Sequence, residues 1–162
     1  MQRVMALAVP ARTEYIAIVR LVVSSLATAR RNLIDERIDD LKLAVSEACT
    51  NAIEAHAMVG TDLPVTVEVW EAPERVEVRV RDCGPGFDPE GLPAHPPVTD
   101  PDRLNFERGL GVPLIRTLSD DSRFDASPDG TTVSMVLFGG PADASGDLTS
   151  EILRVVLSEE EA

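Results

Sequence analysis

The sequence predicts an α/β protein of the α+β two-layer kind, with helices on one face of a mixed, mostly antiparallel sheet. Three observations carry this. Apolar residues recur at helical spacing through two long early stretches. Two runs later in the chain, 65–70 and 76–80, alternate apolar and polar residues strictly by twos. A glycine-flanked helical segment and two further strand-like runs then follow a proline-dense stretch. Strand, two helices, two strands, loop, helix, two strands is the resulting order, which a single sheet covered on one side satisfies.

Each element has its own warrant. Val4 to Val9 is a short apolar strand stopped by Pro10. From Thr13 to Ala29, Ile16, Val19, Val23, Leu26 and Ala27 form a helical stripe, with Arg30 and Arg31 at the end where positive charge is favoured. A second helix runs from Asp35 to Val59, burying Ile38, Leu41, Val45, Ala48 and Ala52 and ending at Gly60. Asp40, Glu47, Asn51 and Glu54 fall on another of its faces. The two alternating runs make a hairpin around Ala72-Pro73-Glu74, and Asp82 ends its second strand. Six of the twelve prolines lie between 85 and 101, so 87–107 reads as a long loop, a lid over whatever binds beneath it. Pro113 suits the first turn of a helix over Leu114–Leu118. Ser122–Ala126 and Thr131–Phe138 are the last strands, joined by Pro128-Asp129-Gly130. Residues 1–140 then form one domain and 141–162 an acidic tail, where Leu148, Ile152, Val155 and Val156 could line a short helix.

Composition bounds the function. With 162 residues, 44% apolar and 27% charged, the chain can bury a core as one soluble domain. A net charge of −13 argues against a nucleic-acid partner, because phosphate backbones require a basic footprint. The apolar run 16–29 is broken by Arg20, Ser24 and Ser25 and is too short for a bilayer, so no membrane role is expected. Cys49 and Cys83 have no metal-ligand spacing and read as packing residues in a reducing, cytoplasmic setting.

Three short pieces carry the chemistry. Asp82-Cys83-Gly84-Pro85-Gly86 puts a carboxylate at a strand end beside two glycines, where a flat purine ring can approach the backbone and offer an amino group. Gly109-Leu110-Gly111 opens a helix whose free N–H groups suit a polyphosphate. Glu47 and Asn51 stand one helical turn apart. Asn51 supplies a hard oxygen for Mg²⁺, Glu47 a base for an attacking hydroxyl, and Arg108 a positive charge for the terminal phosphate. Alone, each piece is weak. His56 reads as a structural residue at the end of its helix, and His95 as a residue of the lid without a role.

Together the pieces resemble the Bergerat-fold ATPases (gyrase, histidine kinases, heat-shock chaperones, MutL). More finely they are similar to the anti-sigma-factor serine/threonine kinases of the RsbW and SpoIIAB kind. Val45 to Ile53 resembles their N-box, Arg81 to Phe87 their first glycine box, and Arg108 to Gly111 their second. Absence of an H-E-x-x-x-P context argues against a sensor kinase. The resemblance implies ATP and Mg²⁺ as cofactors, Glu47 as catalytic base and Asn51 as metal ligand. It further implies Asp82, Gly84 and Gly86 at the adenine, with Arg108, Gly109 and Gly111 at the phosphates. Thr132, or its neighbour Thr131, would complete the adenine end. The implied partners are a sigma factor, an anti-anti-sigma (STAS-type) protein phosphorylated on serine or threonine, and a second copy in a homodimer. A second reading stays open: a non-catalytic nucleotide-binding module that sequesters a transcription regulator, which would need Asp82 and the glycines but not Glu47. Two features depart from the family pattern, His56 lying one residue later than the usual histidine, and the tail beyond Gly140.

Overall fold

A computed structural model of the chain describes residues 1–30, 33–86 and 111–139. The long loop, Arg31, Arg108, Gly109, His95 and the tail 141–162 lie outside these residues. Five strands form one sheet in the order β1-β2-β3-β5-β4, where β1 is Gln2–Val9, β2 Val65–Ala72, β3 Arg75–Arg81, β4 Asp121–Ser127 and β5 Gly130–Phe138. Every pairing among them is antiparallel, so the mixed character expected of the sheet is absent from the described residues. A single 3₁₀ turn, Thr13–Tyr15, leads into α1 (Ile16–Arg30), followed by α2 (Asp35–Val59) and later by α3 (Gly111–Leu118). No helix among the described residues is long and apolar enough to cross a membrane.

The helices cover one face because β2, β3 and β5 present their apolar side chains there. Val65, Val67 and Val69 of β2, Val76, Val78 and Val80 of β3, and Val133, Met135 and Leu137 of β5 are all buried. They meet Leu41, Ala44, Val45, Ala48 and Ala52 of α2, flanked by Val19 and Val23 of α1 and by Ile115 of α3. Burying side chains of this size is worth about 1.5–3 kcal/mol each before chain entropy is counted. The opposite face is polar: Arg75 and Arg79 clamp Glu77 at 3.1 and 2.7 Å, and Arg3 and Arg79 stack over Trp70.

α2 begins and ends as its sequence demands. Asp35 and Glu36 occupy the first turn, and Gly60 closes the helix in the left-handed region at φ 66°. Arg37 ties this end of the molecule together. Its guanidinium donates to Asp40 at 2.7 Å and to the Leu118 carbonyl at 3.3 Å, and it pairs with Asp120. Asp120 in turn accepts the Phe138 N–H at 2.7 Å. The C-terminal end of α3 is thereby fastened to the N-terminal part of α2.

Cys49 lies in the α2 core at 2% exposure, and burial pushes its thiol up to about 12 from an ordinary 9.0. The raised value makes the native thiol inert, so at about pH 8 an alkylating reagent should modify half-buried Cys83 and spare Cys49 until the protein unfolds. Because the folded value exceeds the unfolded one, this group's contribution to stability is complete below pH 9.0 and lost as pH rises toward 12. Urea midpoints that stay flat across that range in wild type but not in Cys49→Ala would contradict the assignment.

Candidate nucleotide site

A cavity of about 240 Å³ opens between α2, the ends of β3 and β5, and the start of α3. Small residues on α2 make the room. Ala48 and Ala52 form its buried floor with Val80 and Val133, and Ala55 lies one turn further on. Met58, 77% exposed, and Glu54 stand at the rim, while Val112 closes the α3 side. Asp40, grouped with Glu47 and Asn51 by periodicity, belongs to the Arg37 cluster instead.

Asp82 is held at the deep end, 5% exposed. Its Oδ1 accepts the Gly84 N–H at 2.8 Å and the Thr131 N–H at 3.1 Å, while its own N–H donates to the Thr131 carbonyl at 3.0 Å. Both hydrogen bonds fall on one oxygen. The other, Oδ2, receives none among the described residues, and the side chain lines the cavity.

The first glycine box is required by close approach. A Cβ on Gly84 would stand 2.6 Å from the Ala55 Cβ and 3.0 Å from the Ala55 carbonyl. Gly86 adopts φ +71° and has its Cα face against the Ser127 carbonyl, leaving no space for a side chain. Gly130, in the β4–β5 turn, is pressed in the same way against the Asp82 carbonyl.

At the opposite end, Gly111 is already helical, three residues before Leu114, and is the first described residue of α3. A Cβ there would lie 2.9 Å from Asn51 Oδ1 and 3.3 Å from Glu47 Oε2. The glycine thus lets a helix start come against the one pair of polar side chains that α2 presents there. Asn51 lines the cavity and Glu47 sits one turn beyond it; both are half-buried. Asn51, Asp82 and Gly86 thus line one cavity, Gly84 is seated against its Ala55, and Gly111 and Glu47 meet beside its Asn51.

Thr132 requires a correction. It is turned to the polar face of the sheet, in a cleft with Arg79 and Ser134. Its neighbour Thr131, 2% exposed, lines the cavity. Successive residues of a strand point to opposite faces, and inward Val133, Met135 and Leu137 carry the alternation back to 131. His56 is structural, as the sequence suggests, and its contact lies beside the first glycine box. It is 1% exposed, and its Nε2 accepts the Cys83 N–H at 2.8 Å. Its place on the buried stripe after Cys49 and Ala52 was the available signal.

The model of the histidine kinase-like ATPase domain matches residues 9–137. The serine-protein kinase RsbW of Bacillus pumilus is 40% identical over 139 residues, 80% of this chain and 82% of that one. RsbW of Bacillus subtilis is 38% identical over 134 residues, again 80% and 82%. Among solved structures, the RsbU and RsbW domains of a Mycobacterium tuberculosis protein superpose with a TM-score of 0.61 at 20% identity, over 85% of this chain and 33% of that one. The SiaB–SiaC complex of Pseudomonas aeruginosa gives 0.59 at 12% identity, over 84% and 90%. These two likenesses establish the fold, and the sequence matches go further: the protein belongs to the histidine kinase-like ATPases and, within them, to the RsbW serine-protein kinase family.

Proposed function

We propose that the protein is an ATP-dependent serine/threonine kinase that is also an anti-sigma factor, holding a sigma factor and phosphorylating an anti-anti-sigma antagonist of the STAS type. The observation that carries this is the bare Gly111 backbone against Asn51 and Glu47, at the far end of a cavity whose depth holds Asp82. A purine fits the Asp82 end, where the free carboxylate oxygen accepts from the exocyclic amino group. Thr131 adds its side chain from β5. The phosphates then run toward Gly111 and Val112 on the α3 side of the cavity, where the missing Cβ at 111 lets them approach the backbone. Arg108 and Gly109 precede these residues in sequence and are assigned to the same phosphates.

Glu47 takes the proton from the partner's hydroxyl. That oxygen bonds to the γ-phosphorus as the bond to the β–γ bridging oxygen breaks and ADP leaves. The Asn51 amide is a hard oxygen donor uncovered by the missing Cβ at 111, which suits Mg²⁺; bound there, the ion would neutralise phosphate charge. The domain is assigned to 1–140 with the acidic tail outside it, the chain to the cytoplasm, and the assembly to a homodimer.

The first test is titration of the protein with ATP, ADP and GTP, with and without Mg²⁺. Adenine-selective, Mg²⁺-sensitive affinity is expected, and absence of binding at millimolar nucleotide would overturn the proposal. Asp82→Ala should weaken ATP by roughly tenfold to a hundredfold, the value of one hydrogen bond to a charged group. Glu47→Ala should lower phosphotransfer to the partner by about 10²–10⁴-fold with binding retained. Normal turnover in that variant would remove Glu47 from the chemistry. Gly84→Ala should lower ATP affinity by lifting the turn off Ala55, read by calorimetry alongside a folded circular-dichroism spectrum.

A further inference from the structure

We infer that His56 is a positioning residue for the nucleotide site: its neutral imidazole, protonated at Nδ1, holds the Cys83 amide and so sets the turn that aims Asp82. The inference rests on the reading of Asp82 as the adenine contact.

Three successive amides at the end of β3 are each given a different anchor. The Asp82 N–H goes to the Thr131 carbonyl of β5, the Cys83 N–H to His56 of α2, and the Gly84 N–H to the Asp82 carboxylate itself. The ladder has ended here, so no neighbouring strand takes the Cys83 amide. Among the described residues, only a side chain reaching in from α2 supplies an acceptor. His56 does so from the residue directly after Ala55, against which Gly84 is seated. The helix therefore fixes this turn twice, once by contact and once by a directed hydrogen bond. With both in place, the Asp82 carboxylate keeps Oδ1 toward Gly84 and Thr131 and leaves Oδ2 for a ligand.

The geometry also determines the tautomer. A nitrogen that accepts an N–H at 2.8 Å carries no proton, so the proton of the neutral ring is on Nδ1. That Nδ1 is buried and has no partner among the described residues. An unsatisfied buried donor is destabilising. The ring nevertheless holds the arrangement that leaves Nδ1 unpaired, because the alternative tautomer would set two N–H groups against each other at Cys83. A histidine retained for packing alone has no need of that orientation.

The experiment compares wild type, His56→Leu, His56→Gln and Asp82→Ala. Gln can place its side-chain oxygen where the imidazole Nε2 stands; Leu offers no acceptor. His56→Leu should raise the KM for ATP about tenfold, with kcat little changed and ATP-over-GTP selectivity reduced, the value of one lost hydrogen bond. His56→Gln should recover most of that affinity and selectivity. A folded Gln variant as weak as Leu, or a Leu variant that binds ATP like wild type, overturns the inference. Asp82→Ala separates the two readings. Unchanged ATP affinity there sinks the adenine assignment itself, whereas weakened affinity beside two normal His56 variants sinks only the role of His56. Nitrogen-15 spectra of wild type, with the His56 signals identified by their loss in His56→Gln, test the tautomer without dependence on any variant's folding into an active enzyme. A protonated Nδ1 and unprotonated Nε2 are expected, and the reverse would refute the proposal.

Discussion

One carboxylate oxygen governs the geometry of this protein's working end. Asp82 Oδ1 receives amides from Gly84 and Thr131, one from its own turn and one from the neighbouring strand. At 5% exposure, water competes weakly for that oxygen, so the two bonds are stronger than their surface counterparts. They join the end of β3 to the start of β5 just past the last paired residues of the ladder. Gly130 lies directly against the Asp82 carbonyl as a result, and Gly86 against the β4–β5 turn. The glycines here answer to crowding at least as much as to backbone freedom.

α2 supplies the rest. From Glu47 to Met58 it runs along the whole cavity, a rise of roughly 16 Å at 1.5 Å per residue. Polar groups sit at one end, three alanines in the middle, and an exposed methionine at the other. α3 crosses its polar end at Gly111 and is tied by Leu118 and Asp120 to Arg37 near its start. The two helices are thus registered to each other at both ends of the shorter one. A single long helix serves as the ruler for both halves of the site.

Much of this was legible beforehand. The limits of α2 followed from its apolar stripe and from Gly60, and the β2–β3 hairpin from strict alternation, because both signals are local. The glycine boxes and the Glu47–Asn51 pair were legible as spacing and order. What failed was what depends on tertiary register. Thr131 and Thr132 are identical side chains one residue apart, and a one-residue difference exchanges cavity for polar face. His56 meets Cys83 across 27 positions, a contact that no local pattern encodes. The expected helix over Leu114–Leu118 begins later than the observed one, because Gly111, read as its opening, is itself helical, with Asn51 packed against the place a Cβ would take.

The β4–β5 turn has a consequence for anyone who would modify this protein. Ser127, Pro128 and Asp129 face solvent, and a hairpin tip of that kind is ordinarily the first choice for grafting a tag, a fluorophore or an inserted peptide. Its inner side is another matter, since the Ser127 carbonyl rests on Gly86 and Gly130 rests on Asp82. An insertion there would transmit its strain into the glycine box within two residues. The surface that looks most open to engineering is the outer wall of the pocket.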